Sequence, residues 1–202
     1  GEYIPQSYVS SYFAGVTRKF HFILGWYTED HGGTIQYGLL RHDYTPRISY
    51  VALAAVGRFL ADGEMLGRWV PNAEDDADNI HVYAFRARPD GQERDVLVAW
   101  TELPEEWPER GTQRAPWMLP DDLAIEAVYD YLGRKVEETP LADLTSAPVY
   151  VVLPEGGADP LDLMPARDTG EYKEGEAYPI VFQFYTPDIE PEFRNRAWTE
   201  EY

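Results

Sequence analysis

The chain has 202 residues, no cysteine and a formal net charge of -19. Disulfides, thiolate metal sites and cysteine nucleophiles are therefore excluded. The acidic field argues against a nucleic-acid partner, and no stretch approaches the roughly 18 apolar residues of a membrane span. Six Trp and fifteen Tyr are many for this length, and aromatic faces fill cores, build interfaces and stack on sugar rings.

Taken in chain order, Pro5 suits the first turn of a helix, and Tyr8, Val9, Tyr12, Phe13 and Val16 recur with helical spacing. Residues 20–24, Phe-His-Phe-Ile-Leu, read as a short buried strand that ends at Gly25. A polar loop follows over 26–33. The phrase Tyr37-Gly38-Leu39-Leu40 then leads to a second helix, with Thr45 as its N-cap and Pro46 at its first position. Its apolar stripe is Ile48, Val51, Ala52, Ala55, Val56, Phe59 and Leu60, and Asp62-Gly63 is a stop signal. Helix, strand, helix with short links is one unit of an α/β fold.

After Trp69 the character changes. Residues 72–79 form an acidic linker in which Glu74, Asp75, Asp76 and Asp78 lack the glycine and terminal glutamate of a calcium loop, so no metal is expected there. Strands are expected over 80–88, 95–101, 123–129, 134–138, 147–153 and 178–186. Pro89-Asp90-Gly91 and residues 130–133 supply turns. A Pro- and Trp-rich loop spans 102–122, and an irregular one spans 154–177. Short strands punctuated by turns predict an antiparallel sandwich.

One ordered set of phrases resembles a known family. Residues 20–24, then Tyr37-Gly38-Leu39-Leu40-Arg41, then Thr45-Pro46-Arg47-Ile48-Ser49-Tyr50, are similar to the last strand and last helix of clan-A glycoside hydrolases. The strand at 95–101 ending in Trp100-Thr101, the hairpin Asp130-Tyr131-Leu132-Gly133-Arg134 and the run Pro148-Val149-Tyr150 are similar to the accessory domain of those enzymes. Arg47-Ile48 departs from the family's Lys-Pro form at the helix start, and nothing after Leu153 is similar. The resemblance implies an α+β fragment, the last βα unit of a (β/α)8 barrel (residues 1–70) followed by an antiparallel β-sandwich (71–202). A whole barrel needs about 250 residues.

The resemblance also implies a retaining O-glycosidase, which uses two carboxylates about 5–5.5 Å apart. The family carries the first in an Asn-Glu dipeptide. This chain has none, since its asparagines precede Ala73, Ile80 and Arg196. The catalytic pair is thus expected outside this chain, and the chain alone is expected to be inactive. The expected partners are a carbohydrate substrate and the N-terminal part of the barrel, with no cofactor. Active sites of barrels sit at the C-terminal ends of the strands, so Trp26, Tyr27, Glu29, Asp30 and His31 are the expected substrate contacts. Against that stands a Trp26 that caps the core and a solvated 29–31. His21 is expected to point inward as a core histidine, and Trp107 and Trp117 to pack over a sandwich edge. The competing reading is a non-catalytic carbohydrate-binding or structural β-sandwich module.

Overall fold

The computed structural model describes residues 1–16, 18–21, 23–25, 27–28, 36–70, 79–102, 115–117, 119–137 and 143–166. Helix α1 (Tyr3–Phe13) has Pro5 within its first turn, where the missing N–H costs nothing. Strands β1 (Tyr27–Thr28) and β2 (Gln36–Tyr37) form a two-residue ribbon, and helix α2 (Ile48–Leu60) follows. Its cap is Arg47, not Thr45. Asp43 Oδ1 takes both the Thr45 N–H (3.0 Å) and its hydroxyl (2.7 Å), so an Asx turn uses the groups that would have capped the helix. The stop works as expected: Asp62 adopts the left-handed region at φ 54°, and the Gly63 N–H returns to the Leu60 carbonyl.

The remaining strands are β3 (Glu64–Trp69), β4 (Ile80–Ala87), β5 (Arg94–Thr101), β6 (Ala115–Pro116), β7 (Ala127–Asp130), β8 (Asp143–Leu144), β9 (Val149–Pro154) and β10 (Leu163–Met164). Six of them form one sheet in the order β10-β3-β4-β5-β9-β7, and every pairing is antiparallel. The strict alternation of a pleated strand sorts its residues between two faces. Tyr83, Phe85, Val96, Val98, Trp100, Tyr150 and Val152 face the helices. Val82, Ala84, Leu97, Ala99, Val128, Val151 and Leu153 face the other way.

Both faces are covered. On the first, α2 lays Ala52, Ala55, Val56, Phe59 and Leu60 against the sheet. Phe59 stacks on Tyr150 at 4.4 Å between ring centroids, and α1 sets Tyr12 against Phe85 and Phe13 against Tyr83 edge-on. On the second, the β6–β8 ribbon contributes Leu144, beside Trp117, Ala158 and Leu161. Burying one such side chain stabilises by about 1.5–3 kcal/mol, so a sheet buried on both sides is the main source of cohesion.

This architecture overturns the expected βα unit of a barrel followed by a sandwich. Among the described residues the fold is mostly β, with two helices on one antiparallel six-stranded sheet. Among the described residues of 20–24 none is in a strand, and Phe20 is 89% and Leu24 56% exposed. The Ile23 and Leu24 carbonyls instead accept from the Leu39 and Leu40 N–H groups (3.0 and 3.1 Å). A run of apolar residues has no periodicity of its own, and only neighbouring strands make it a buried stave. The helices find their apolar partner in β3, β4, β5 and β9 instead. Among the described residues the far face carries the two-residue β6–β8 ribbon and loops where a second sheet was expected. The expected strand at 134–138 reduces to an isolated bridge, Tyr129 to Lys135, and 178–186 lies outside the described residues.

Candidate functional site

Of the five expected sugar contacts, Trp26, Glu29, Asp30 and His31 lie outside the described residues. Tyr27 is described through its backbone alone, paired with Tyr37. Glu74, Asp75, Asp76, Asp78 and Trp107 also fall outside. Trp117 is 4% exposed in the far-face core, and its Nε1 has no hydrogen-bond partner, so it packs and offers no ring face to a ligand. His21 does not point into a core. It lies on an exposed stretch, and partial burial, then the neighbouring Lys19 charge, push its pKa below the usual histidine value.

The most unusual surface belongs to the helix layer. Nine of the eleven exposed large apolar side chains among the described residues fall between Tyr3 and Val51. On α2 the outward side carries Ile48 (52% exposed), Tyr50 (41%) and Val51 (39%), followed by Ala54 and Gly57. A Cβ added at Gly57 would meet nothing within 4 Å. Ile48 and Val51, expected in the inward stripe, thus face outward, and α2 is apolar on both sides. A helix of that kind is normally buried on both sides. Polar cover is sparse, with Arg58 the one charged side chain between Ile48 and Leu60.

The distribution of charge sharpens this. Residues 1–61 contain five Lys or Arg and four Asp or Glu, out of chain totals of 17 and 36. The rest of the chain therefore holds 12 basic and 32 acidic residues, and the whole acidic excess lies outside the helix layer. Apolar and aromatic surface with few charges is the composition of the buried centre of a protein interface. The sequence signal was there to be read: Tyr50, Val51, Ala54 and Gly57 are consecutive positions of a second apolar stripe.

Ionic and polar groups elsewhere knit the sheet. Asp95 is fully buried on the far face, where it accepts from Arg86 Nε (3.1 Å) and from the Ala158 N–H (2.9 Å). Arg86 also reaches Asp159 at 3.3 Å, so one cation fixes the turn after β9 to the sheet, and Asp95 raises its pKa through a hydrogen bond and its charge. On the helix face, His81 stacks on Trp100 at 5.2 Å and shares a 2.9 Å hydrogen bond with Glu102. Near α1, Lys19 donates to Ser11 Oγ (3.0 Å) and lies over the Tyr8 ring, and burial lowers its pKa. Among the described residues no group of three or more His, Asp or Glu is placed to hold a metal ion. No family model, no curated protein and no solved structure matches this chain.

Proposed function

We propose that this chain is the C-terminal, non-catalytic portion of a glycoside hydrolase of the retaining O-glycosidase type, and that its helix layer docks onto the body carrying the two catalytic carboxylates. The observation that carries the reading is the outward apolar face of α2. It lies in the same stretch, residues 37–53, whose wording resembles the family. A docked face of several hundred Å2 would contribute several kcal/mol at roughly 25 cal/mol per Å2. In this reading the antiparallel sheet is a buttress, and residues 26–31 supply aromatic and polar contacts to the sugar.

The test is to assay the chain alone, and the polypeptide extended by its upstream coding sequence, on aryl glycosides. The chain alone is expected to release no aglycone. The extended protein should hydrolyse a glycoside with retention of configuration, visible by proton NMR, and should contain an Asn-Glu plus a second essential carboxylate. An extension without that pair would leave the non-catalytic module. In the extended protein, Trp26→Ala should lower kcat/KM by roughly tenfold or more, about 1.4 kcal/mol of transition-state binding, with little change in Tm. Equal losses of activity and of folded protein would return Trp26 to the core.

A further inference from the structure

Residues 42–44 form the loop of a tight hairpin just before α2. The Tyr44 N–H donates to the Arg41 carbonyl (2.9 Å), the Arg41 N–H donates to the Thr45 carbonyl (2.8 Å), and Leu40 bridges Pro46. The last residue of such a three-residue loop takes the left-handed conformation, and glycine is the residue that suits it. Here that residue is tyrosine, at φ 63°. Asp62, the other non-glycine residue in this region, has a short polar side chain that tolerates it, whereas a bulky ring does not. The Tyr44 side chain returns little to this chain: it is 81% exposed, more than Ile48, Tyr50 or Val51 on α2. The loop is nonetheless held firmly. Asp43 accepts from the N–H and hydroxyl of Thr45, and Arg41 Nη1 donates to Thr45 Oγ1 (3.2 Å) and to the Pro46 carbonyl (2.6 Å). A braced loop that keeps an unpacked ring in a costly conformation is pre-organised for a contact outside the chain.

From this loop we infer that Tyr44 is the anchor of the docking surface, its ring entering an apolar pocket on the body that carries the catalytic carboxylates. The inference rests on the docking proposed above and names the residue that fixes it. Position and charge choose this occupant. Tyr44 lies four residues before Ile48, so it continues the exposed apolar face of α2. Residues 1–61, with five basic and four acidic side chains, are nearly neutral and suit burial, whereas the acidic remainder of a chain at -19 repels a second copy. A tyrosine has few rotamers to lose when it is seated, which is why such rings anchor interfaces. A buried phenol hydroxyl needs a hydrogen-bond partner, so the pocket has apolar walls and one polar group at its end.

The experiment compares hydroxyl-radical labelling, read by mass spectrometry, in the 202-residue chain and in the extended protein. Tyr44 and Tyr50 should both label readily in the chain alone and both be protected in the extended protein, Tyr44 the more strongly. Tyr44→Asn, which suits the left-handed region, should leave the chain alone as stable as wild type or raise its folding equilibrium constant by up to roughly fivefold. In the extended protein the same change should raise the labelling of Tyr50 by about thirtyfold, the scale of a lost interface hot spot. A Tyr44 as accessible in the extended protein as in the chain alone, beside a protected Tyr50, would overturn the anchor and leave the docking in place. Two accessible tyrosines would remove the docking as well. Destabilisation of the chain alone by Tyr44→Asn, or protection of Tyr44 in the chain alone by xylohexaose, would make the ring a structural or sugar-binding group and overturn the inference.

Discussion

At the scale of single residues, the Arg86–Asp95 pair is the most exacting arrangement in the far-face core. The carboxylate is fully buried, while 31% of the arginine side chain reaches solvent. Removing Arg86 strands a buried charge, whereas removing Asp95 frees a cation that water and Asp159 can still satisfy. Arg86→Met is therefore expected to destabilise by about 3–5 kcal/mol, and Asp95→Asn by clearly less, in chemical denaturation. The reverse ranking would mean that Asp95 is held mainly by the Ala158 N–H. Phe59→Ala, which empties a site between Tyr129 and Tyr150, should cost about 3–5 kcal/mol. A pH dependence follows at Asp90, whose pKa lies below its ordinary 3.8 because the Gln92 N–H and then Arg94 favour the carboxylate. A depressed carboxylate contributes stability above its unfolded pKa and loses it as pH falls through the folded one. The gap in denaturation midpoint between wild type and Asp90→Ala should be full near neutral pH and close below about pH 4. A gap that persists in acid would assign the effect to turn geometry.

At the scale of elements, β3 is where local pattern and structure diverge most. Its residues, Glu64-Met65-Leu66-Gly67-Arg68-Trp69, show no alternation, because a register shift between Met65 and Gly67 moves the period by one. The same Gly67, at φ 152°, lets β10 approach: a Cβ there would lie 2.5 Å from the Met164 carbonyl oxygen. Gly67→Ala is thus expected to raise amide exchange at Leu163 and Met164 while leaving β4 and β5 protected. Uniform loss of protection would show that β10 does not peel separately. By contrast β4, β5 and β9 were legible within a residue or two, since each combines β-branched or aromatic alternation with turns at Asp90-Gly91 or near 146–148. Helix α2 was legible in position but only half legible in its packing, because one apolar stripe looked sufficient. Residues 20–24 were misread for the opposite reason: strand composition without strand partners is only composition. The five expected sugar contacts lie in a segment whose role depends on what it packs against, which no local spacing encodes.

At the scale of the whole molecule, stability and the proposed docking place different demands on the helix layer. Its inward side belongs to a core that the sheet completes, so Val51→Glu on the outward side should leave the melting of the chain within about 0.5 kcal/mol of wild type. If the helix layer docks as proposed, the same substitution in the extended protein would bury an unpaired carboxylate, and several kcal/mol of interface should be lost. Size-exclusion and activity measurements on the extended variant would then show a loosened or inactive enzyme. An extended Val51→Glu protein with wild-type activity would remove the docking surface from consideration.

The two rims of the sheet carry a last consequence. Leu163–Met164 runs along part of β3, and the return through Lys135 and Val136 occupies the outer side of β7, where the Val136 N–H meets the Val128 carbonyl. A strand with a free backbone is a template onto which a neighbouring molecule can zip, and a sheet this rich in Val, Leu and Tyr would be prone to it. Short plugs on both borders, on a body whose acidic residues repel its own copies, leave crowded molecules little backbone to recruit.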